Sequence, residues 1–298
     1  AYELTGGGIT IQGGDPGSSD NVTLNGTAAP DVIDLTLAAT GDTVTGVVGT
    51  PVLLVDVENL TVNALGGSDT LSVTLLGALS DLDNVTFNSG GDATDTMSIT
   101  GTANPDNIDV TPIDDDSVRA AANGVGPVVT TNLGIAATST YTIDGAGEED
   151  TIVVNGSSAS EGITVTRDTN PTVAVGVAKV VTIPMASNES LVVAASTGDD
   201  TITVTDTAGP AIALTVDGGL PTASDSLVVN NFVAGTTAVT PGATPDSGVI
   251  ASPDGAIRTN ACAATSRTRA SSSRSAAASA ATASGGIGCL RTPKSRSA

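Results

Sequence analysis

"VENLTVNALGGSDTLSVT", residues 57–74, decides how the rest of the chain reads. Leu60 and Val62 alternate with polar residues before Gly66, Gly67, Ser68 and Asp69, and Leu71 and Val73 alternate after them. A period of two marks strands with one buried face, and glycine beside aspartate marks the turn between them. The cassette recurs. Asp20, Asp31, Asp69, Asp95, Asp106, Asp150, Asp200 and Asp225 are each followed by apolar residues at +2 and +4 and by Thr or Asn at +5.

The spacing of these aspartates suggests a repeat architecture. Asp20 to Asp95, Asp31 to Asp106 and Asp150 to Asp225 are each 75 residues, while Asp69 to Asp95 is 26 and Asp200 to Asp225 is 25. The longer gaps of 49, 55 and 50 residues lie near twice that step, with degenerate turns around Asp42 and Asp116 partly filling them. The expectation is an all-β chain, a parallel β-helix or β-solenoid with rungs of about 25 residues, each holding about three short strands. Its inward side chains would be Leu60, Val62, Leu71, Val73, Met97, Ile99, Ile152, Val154, Ile202, Val204, Leu227 and Val229. The rival arrangement is tandem antiparallel β-sandwich domains, which the 11-residue steps from Asp20 to Asp31 and from Asp95 to Asp106 would suit.

Composition agrees with thin stacked layers. Tyr2, Phe87, Tyr141 and Phe232 are the only aromatic residues, so a core must be built from Val, Ile, Leu and Ala. Residues 1–257 hold 32 acidic residues against Arg119, Arg167 and Lys179, a net charge of −29. Such a body repels nucleic acid and anionic membrane and suits divalent cations or salty water. No stretch reaches the roughly 20 apolar residues of a membrane span. The opening residues show no signal-peptide pattern, as expected of a mature form or a fragment.

From Arg258 the character changes to Ala, Ser, Arg and Thr, with seven basic residues, no acidic one and both cysteines, Cys262 and Cys289. The expected division is an acidic β-solenoid repeat region at 1–257 and a low-complexity basic tail at 258–298, disordered or read out of frame.

A carboxylate beside glycine at a turn is suited to Ca²⁺, which takes six to eight oxygen ligands. The candidate metal ligands are Asp69, Asp95, Glu149, Asp150, Asp199, Asp200 and Asp225, in "GGSD", "GGDATD", "GAGEED", "TGDD" and "GGLPTASD". A glycine or Asx turn without metal is the alternative at each. At "GGSDTLSV" and "GDDTITV" the chain resembles secreted bacterial repeat proteins of the RTX calcium-binding type, and the wider cassette resembles large haemagglutinin-like or adhesin-like surface proteins. The resemblance implies an extracellular or cell-surface bacterial protein, structural or adhesive, stabilised by calcium, with surface or matrix proteins or glycans as partners. It implies neither nucleic-acid binding nor membrane insertion by this segment.

Enzymatic constellations are sparse. Without histidine, general base chemistry would fall to carboxylates or to Lys179. The enzymatic rival is a carbohydrate-active β-helix, but paired catalytic carboxylates with aromatic platforms are not evident. "IDDDS", with Asp114, Asp115 and Asp116, reads as a solvated loop. The expectation is a non-enzyme with no catalytic residue and no organic cofactor.

Overall fold

In a computed structural model, residues 2–266 are described except 6, 15–19, 48, 76–79, 92–93, 123–125, 135–137, 185–189, 207–211, 221–224, 231–237, 242–246, 252–255 and 261–262. The chain is all-β and shuttles between two large, mostly parallel sheets, an arrangement consistent with a β-solenoid.

The path begins with β1 (Tyr2–Thr5) and β2 (Gly8–Gln12) in the first sheet and β3 (Asn21–Asn25) in the second. The first sheet then takes β4 (Val32–Leu37), β5 (Asp42–Thr45) and β6 (Val52–Val55), and the second takes β7 (Asn59–Asn63). Next come β8 (Thr70–Leu75) in the first, β9 (Asn84–Asn88) in the second and β10 (Thr96–Thr100) in the first. β11 (Asn107–Pro112), β12 (Ser117–Ala122) and β13 (Val128–Asn132) lie in the second sheet, followed by β14 (Thr140–Asp144) in the first and β15 (Thr151–Asn155) in the second. β16 (Gly162–Arg167), β17 (Thr172–Val175) and β18 (Val181–Thr182) return to the first, before β19 (Ser190–Ala194) in the second. β20 (Thr201–Asp206), β21 (Ala213–Asp217) and β22 (Ser226–Asn230) alternate first, second, first. β23 (Ala238–Pro241), β24 (Gly248–Ala251) and β25 (Ile257–Asn260) occupy the second sheet, and β26 (Ala263–Ser266) the first.

Spatial order exposes a device that the linear spacing hides. The first sheet runs β1-β2-β6-β5-β4-β8-β10-β14-β18-β17-β16-β20-β22-β26, and the second runs β23-β24-β25-β21-β19-β15-β11-β12-β13-β9-β7-β3. In four places a single strand is replaced by a three-strand meander: β4–β6, β11–β13, β16–β18 and β23–β25. The chain jumps ahead, doubles back antiparallel, then comes forward again beside the preceding pass. Thus β6 pairs in parallel with β2, and β4 pairs in parallel with β8. The next meander repeats this in the other sheet, with β13 beside β9 and β11 beside β15.

Three offsets follow. Where no meander intervenes, Thr70 faces Thr96, Asn59 faces Asn84 and Thr201 faces Ser226, offsets of 25 or 26 residues. Where one does, the offset is 38 or 39, as for Val32 and Thr70 or Gly162 and Thr201. It is 44 for Thr96 and Thr140 and for Asn107 and Thr151. The gaps read as double rungs are therefore single passes carrying a detour. Asp42 opens β5 and Asp114–Asp116 turn β11 into β12, so both lie inside meanders and not at separate rung turns. The short step holds two strands, one per sheet, and not three. Asp31 and Asp106, 75 apart, each precede the first strand of a meander, but in different sheets.

Parallel pairing of β8 with β10 puts the Asp69 and Asp95 turns on adjacent strands. Among the described residues, the antiparallel pairing expected of hairpin sandwiches is confined to β1 with β2 and to the four meanders. Pairing continues past the compositional boundary at 257, since β25 joins β21 and β26 joins β22. The rest of the expected tail, 267–298, lies outside the described residues.

All twelve expected inward residues are buried in one continuous apolar cluster. Phe87 and Tyr141 supply its two rings, and between them the filling is aliphatic. Each strand is too short to bury its inner face alone, so cohesion comes from neighbouring passes. The opening stretch is now explained in part. Gly67 adopts φ 114°, and a Cβ there would come within 2.6 Å of the Pro30 nitrogen on the preceding pass. Only glycine satisfies both conditions.

Candidate functional site: the carboxylate columns

The recurring aspartate stands immediately before a strand of the parallel ladder, where regular main-chain pairing starts. Its backbone carbonyl accepts the amide that opens the neighbouring strand: Thr70 N–H donates to Asp31 O at 2.9 Å, Thr96 to Asp69 at 2.8 Å, and Ser226 to Asp200 at 2.8 Å. Its own amide has no strand partner and turns to a side chain on the next pass. Asp31 N–H donates to Asp69 Oδ1 at 2.8 Å, and Asp69 N–H donates to Asp95 Oδ1 at 2.9 Å. The column ends with Asp95 N–H donating to Ser139 Oγ at 3.0 Å.

Two further columns repeat the bond. Asp106 N–H donates to Asp150 Oδ1 at 2.8 Å. Glu161 N–H reaches Asp200 Oδ1, and Asp200 N–H reaches Asp225 Oδ1, both at 2.8 Å. A fourth pair uses glutamate, with Asp20 N–H donating to Glu58 Oε2 at 3.0 Å. Hydrogen bonds to an ionised acceptor contribute about 1.5–3 kcal/mol each, and leaving the buried amide unpaired would cost a similar amount.

At the head of a column the carboxylate folds back on its own loop. Thr27 N–H donates to Asp31 Oδ2 at 2.7 Å and Thr102 N–H to Asp106 Oδ2 at 2.6 Å, which accounts for the near-identity of "GTAAPD" and "GTANPD". Ser157 N–H and Glu161 Oε2 make the same closure at 2.9 Å. Glycine five residues earlier leaves the room. A Cβ on Gly26, Gly101 or Gly145 would stand 2.5, 2.7 or 2.3 Å from the carboxylate oxygen of Asp31, Asp106 or Asp150.

Of the candidate metal ligands, Asp69, Asp95, Asp150, Asp200 and Asp225 are buried in these columns, each 0–1 % exposed. Glu149 and Asp199, expected beside them, are exposed at the turns. Asp69 and Asp95 share one column, Asp200 and Asp225 another, and Asp150 stands with Asp106 in a third. Burial pushes the pKa of Asp150, Asp200 and Asp225 up, against the lowering effect of the donated amide where one is accepted; neighbouring carboxylates push the same way. The Oδ2 atoms of Asp95, Asp150, Asp200 and Asp225 are buried without a hydrogen-bond partner among the described residues.

That donor set does not fit a calcium cage. In the columns an oxygen of Asp69, Asp95, Asp150, Asp200 and Asp225 faces an amide hydrogen. Among the described residues no group of three or more His, Cys, Asp or Glu side chains is gathered.

A neutral column in the second sheet was not singled out in the sequence. Asn63 Nδ2 donates to Asn25 Oδ1 at 2.9 Å, Asn88 to Asn63 at 2.9 Å, and Asn132 to Asn88 at 2.6 Å. The Thr-or-Asn preference at +5 was its trace. Lys179, the basic candidate for acid–base chemistry, instead ties two meanders together. Its amide donates to Asp114 O at 2.7 Å and its Nζ to Gly134 O at 3.0 Å. Burial pushes its pKa down, opposed by Asp116, Asp115 and Asp95. In the "IDDDS" turn, Asp114 Oδ1 accepts the amides of Asp116 and Ser117.

No protein-family model matches the chain, and no match is found among curated proteins. No helix among the described residues is long and apolar enough to cross a membrane.

Proposed function

We propose that this chain is a structural or adhesive segment of an extracellular bacterial surface or matrix protein, a β-solenoid that spaces or presents neighbouring parts. The observation that carries the reading is the continuity of the parallel ladder, reinforced at each pass by a side-chain column. Such a body is a stiff rod whose length grows by roughly 4.8 Å per strand. The reading includes no catalysis. Surface or matrix proteins and glycans are its partners, met along the outer faces of the sheets.

Antibodies against residues 20–230 test the location. They should label intact source cells or their matrix without permeabilisation, and labelling only after lysis would overturn the reading. Release of reducing ends from neutral or acidic polysaccharides would favour the carbohydrate-active alternative. Calcium has an accessory place in this proposal, at the exposed acidic turns around Glu149 and Asp199, outside the buried amide–carboxylate bonds.

A further inference from the structure

We propose that the outer edge of β3 is a docking site for one extended strand donated by another polypeptide. That strand runs parallel to β3 and carries the pattern Asn–apolar–Thr–apolar–Asn.

β3 is the last strand of the second sheet and pairs on one side with β7. Residues on the even positions face β7: Asp20 O accepts Asn59 N–H at 3.0 Å, and Gly26 N–H donates to Asn63 O at 2.7 Å. Strand alternation therefore turns the main-chain groups of Thr23 and Asn25 outward, an open parallel edge. The asparagine column has a direction, each Nδ2 donating to the Oδ1 of the preceding pass, and it ends at Asn25. An incoming asparagine at the same height would receive the Asn25 Nδ2 and extend the column by one member. Asp20 occupies the position from which inner carboxylates accept the amide of the preceding strand.

The apolar layer is open at the same place. Leu24 is 8 % exposed against 1 % for Leu60 and Val62 one pass inward, and Ile9, Ile11 and Val22 are only partly buried against the core. In the first sheet β1 covers β2, but among the described residues no strand covers β3. The vacancy is one strand wide. A second copy approaching end to end would meet β1 first, leaving the two β3 edges apart, so a single extended segment is the occupant that fits. Strand addition of this kind draws affinity from main-chain bonds and specificity from alternate side chains. The inference stands on strand geometry and does not need the surface location.

The probe is a fluorescein-labelled peptide of sequence VENLTVNA, residues 57–64, titrated against the whole protein by fluorescence anisotropy. Saturable binding is expected. Thr23→Pro removes an outward amide at an edge position that tolerates proline and should weaken binding about tenfold or more. A peptide N-methylated at the amides facing β3 should lose binding equally while leaving the protein untouched. The reversed sequence and a peptide with both asparagines changed to alanine should bind more weakly. Absence of binding, or equal binding of the reversed and N-methylated peptides, would overturn the proposal. So would dimers of the protein alone that Thr23→Pro dissolves and the peptide does not compete, since the edge would then pair with itself.

Discussion

Asn88 and Asp95 leave and enter successive strands on one connection, seven residues apart, yet their columns behave differently. Asn88 receives one amide hydrogen from Asn132 and gives one to Asn63, so each asparagine is both donor and acceptor. Asp95 accepts from the Asp69 amide, and its second oxygen is buried without a partner among the described residues. An amide column can therefore propagate indefinitely. A carboxylate column accumulates desolvated charge with each member. The asparagine column has four members, Asn25 to Asn132, whereas the carboxylate column reaches Asp95 and closes on the neutral hydroxyl of Ser139.

The largest expected effect separates the two columns directly. Asp95→Ala leaves the Asp69 amide buried without its acceptor and should cost about 2–3 kcal/mol. Asn88→Ala, at a partly exposed site, should cost less than about 1 kcal/mol. Urea denaturation of both variants measures the difference, and equal losses would show that charge adds nothing to the column.

Acid should distinguish the columns next. Burial holds Asp150, Asp200 and Asp225 above the ordinary carboxylate value in the folded chain, so protonation favours the fold. Their contribution is complete below the unfolded pKa of about 3.9 and is lost as pH rises through the raised folded values. Exposed Asp114, held low chiefly by the Ser117 hydroxyl, acts in the opposite sense. Melting temperature should therefore rise as pH is lowered from 7 towards the carboxylate range, and Asp150→Asn with Asp200→Asn and Asp225→Asn should flatten that rise. A monotonic fall on acidification in the unmutated chain would contradict it.

The turns that feed the carboxylate columns hold recoverable strain. Leu65, Gly91, Ala146 and Ser196 lie four residues before Asp69, Asp95, Asp150 and Asp200, with φ of 78–79° in every case. Glycine fills only one of the four positions. Leu65→Gly should stabilise by about 1 kcal/mol, because left-handed backbone penalises a Cβ and the leucine side chain is 52 % exposed. Gly91→Ala should lose a comparable amount, and thermal melting of the pair checks the symmetry.

Calcium should give the smallest effect. At matched ionic strength, millimolar Ca²⁺ and NaCl should differ by a few degrees or less in melting temperature, with any difference removed by Glu149→Gln and Asp199→Asn. A ligand at a hundredfold excess over its dissociation constant adds about 2.7 kcal/mol. A shift of that size, abolished by Asp95→Asn or Asp200→Asn instead, would place the ion inside the columns.

Much of this architecture was legible locally. The two-residue period located the inward side chains from Leu60 to Val229, because alternation follows from strand geometry whatever the strand pairs with. Aspartate before the strand and Asn or Thr at +5 marked both polar columns, although their hydrogen-bond directions were not readable. Leu65, Ala146 and Ser196 gave no sign of left-handed backbone, since no glycine stands there. Which strands are neighbours was decided by the tertiary structure. A meander such as β4–β6 keeps the same alternation and the same turn residues as a single strand, yet it changes the offset to the next pass from 25 or 26 residues to 38 or more. Pairing is a contest between distant segments for the same main-chain groups, and only the assembled sheets record which one prevails.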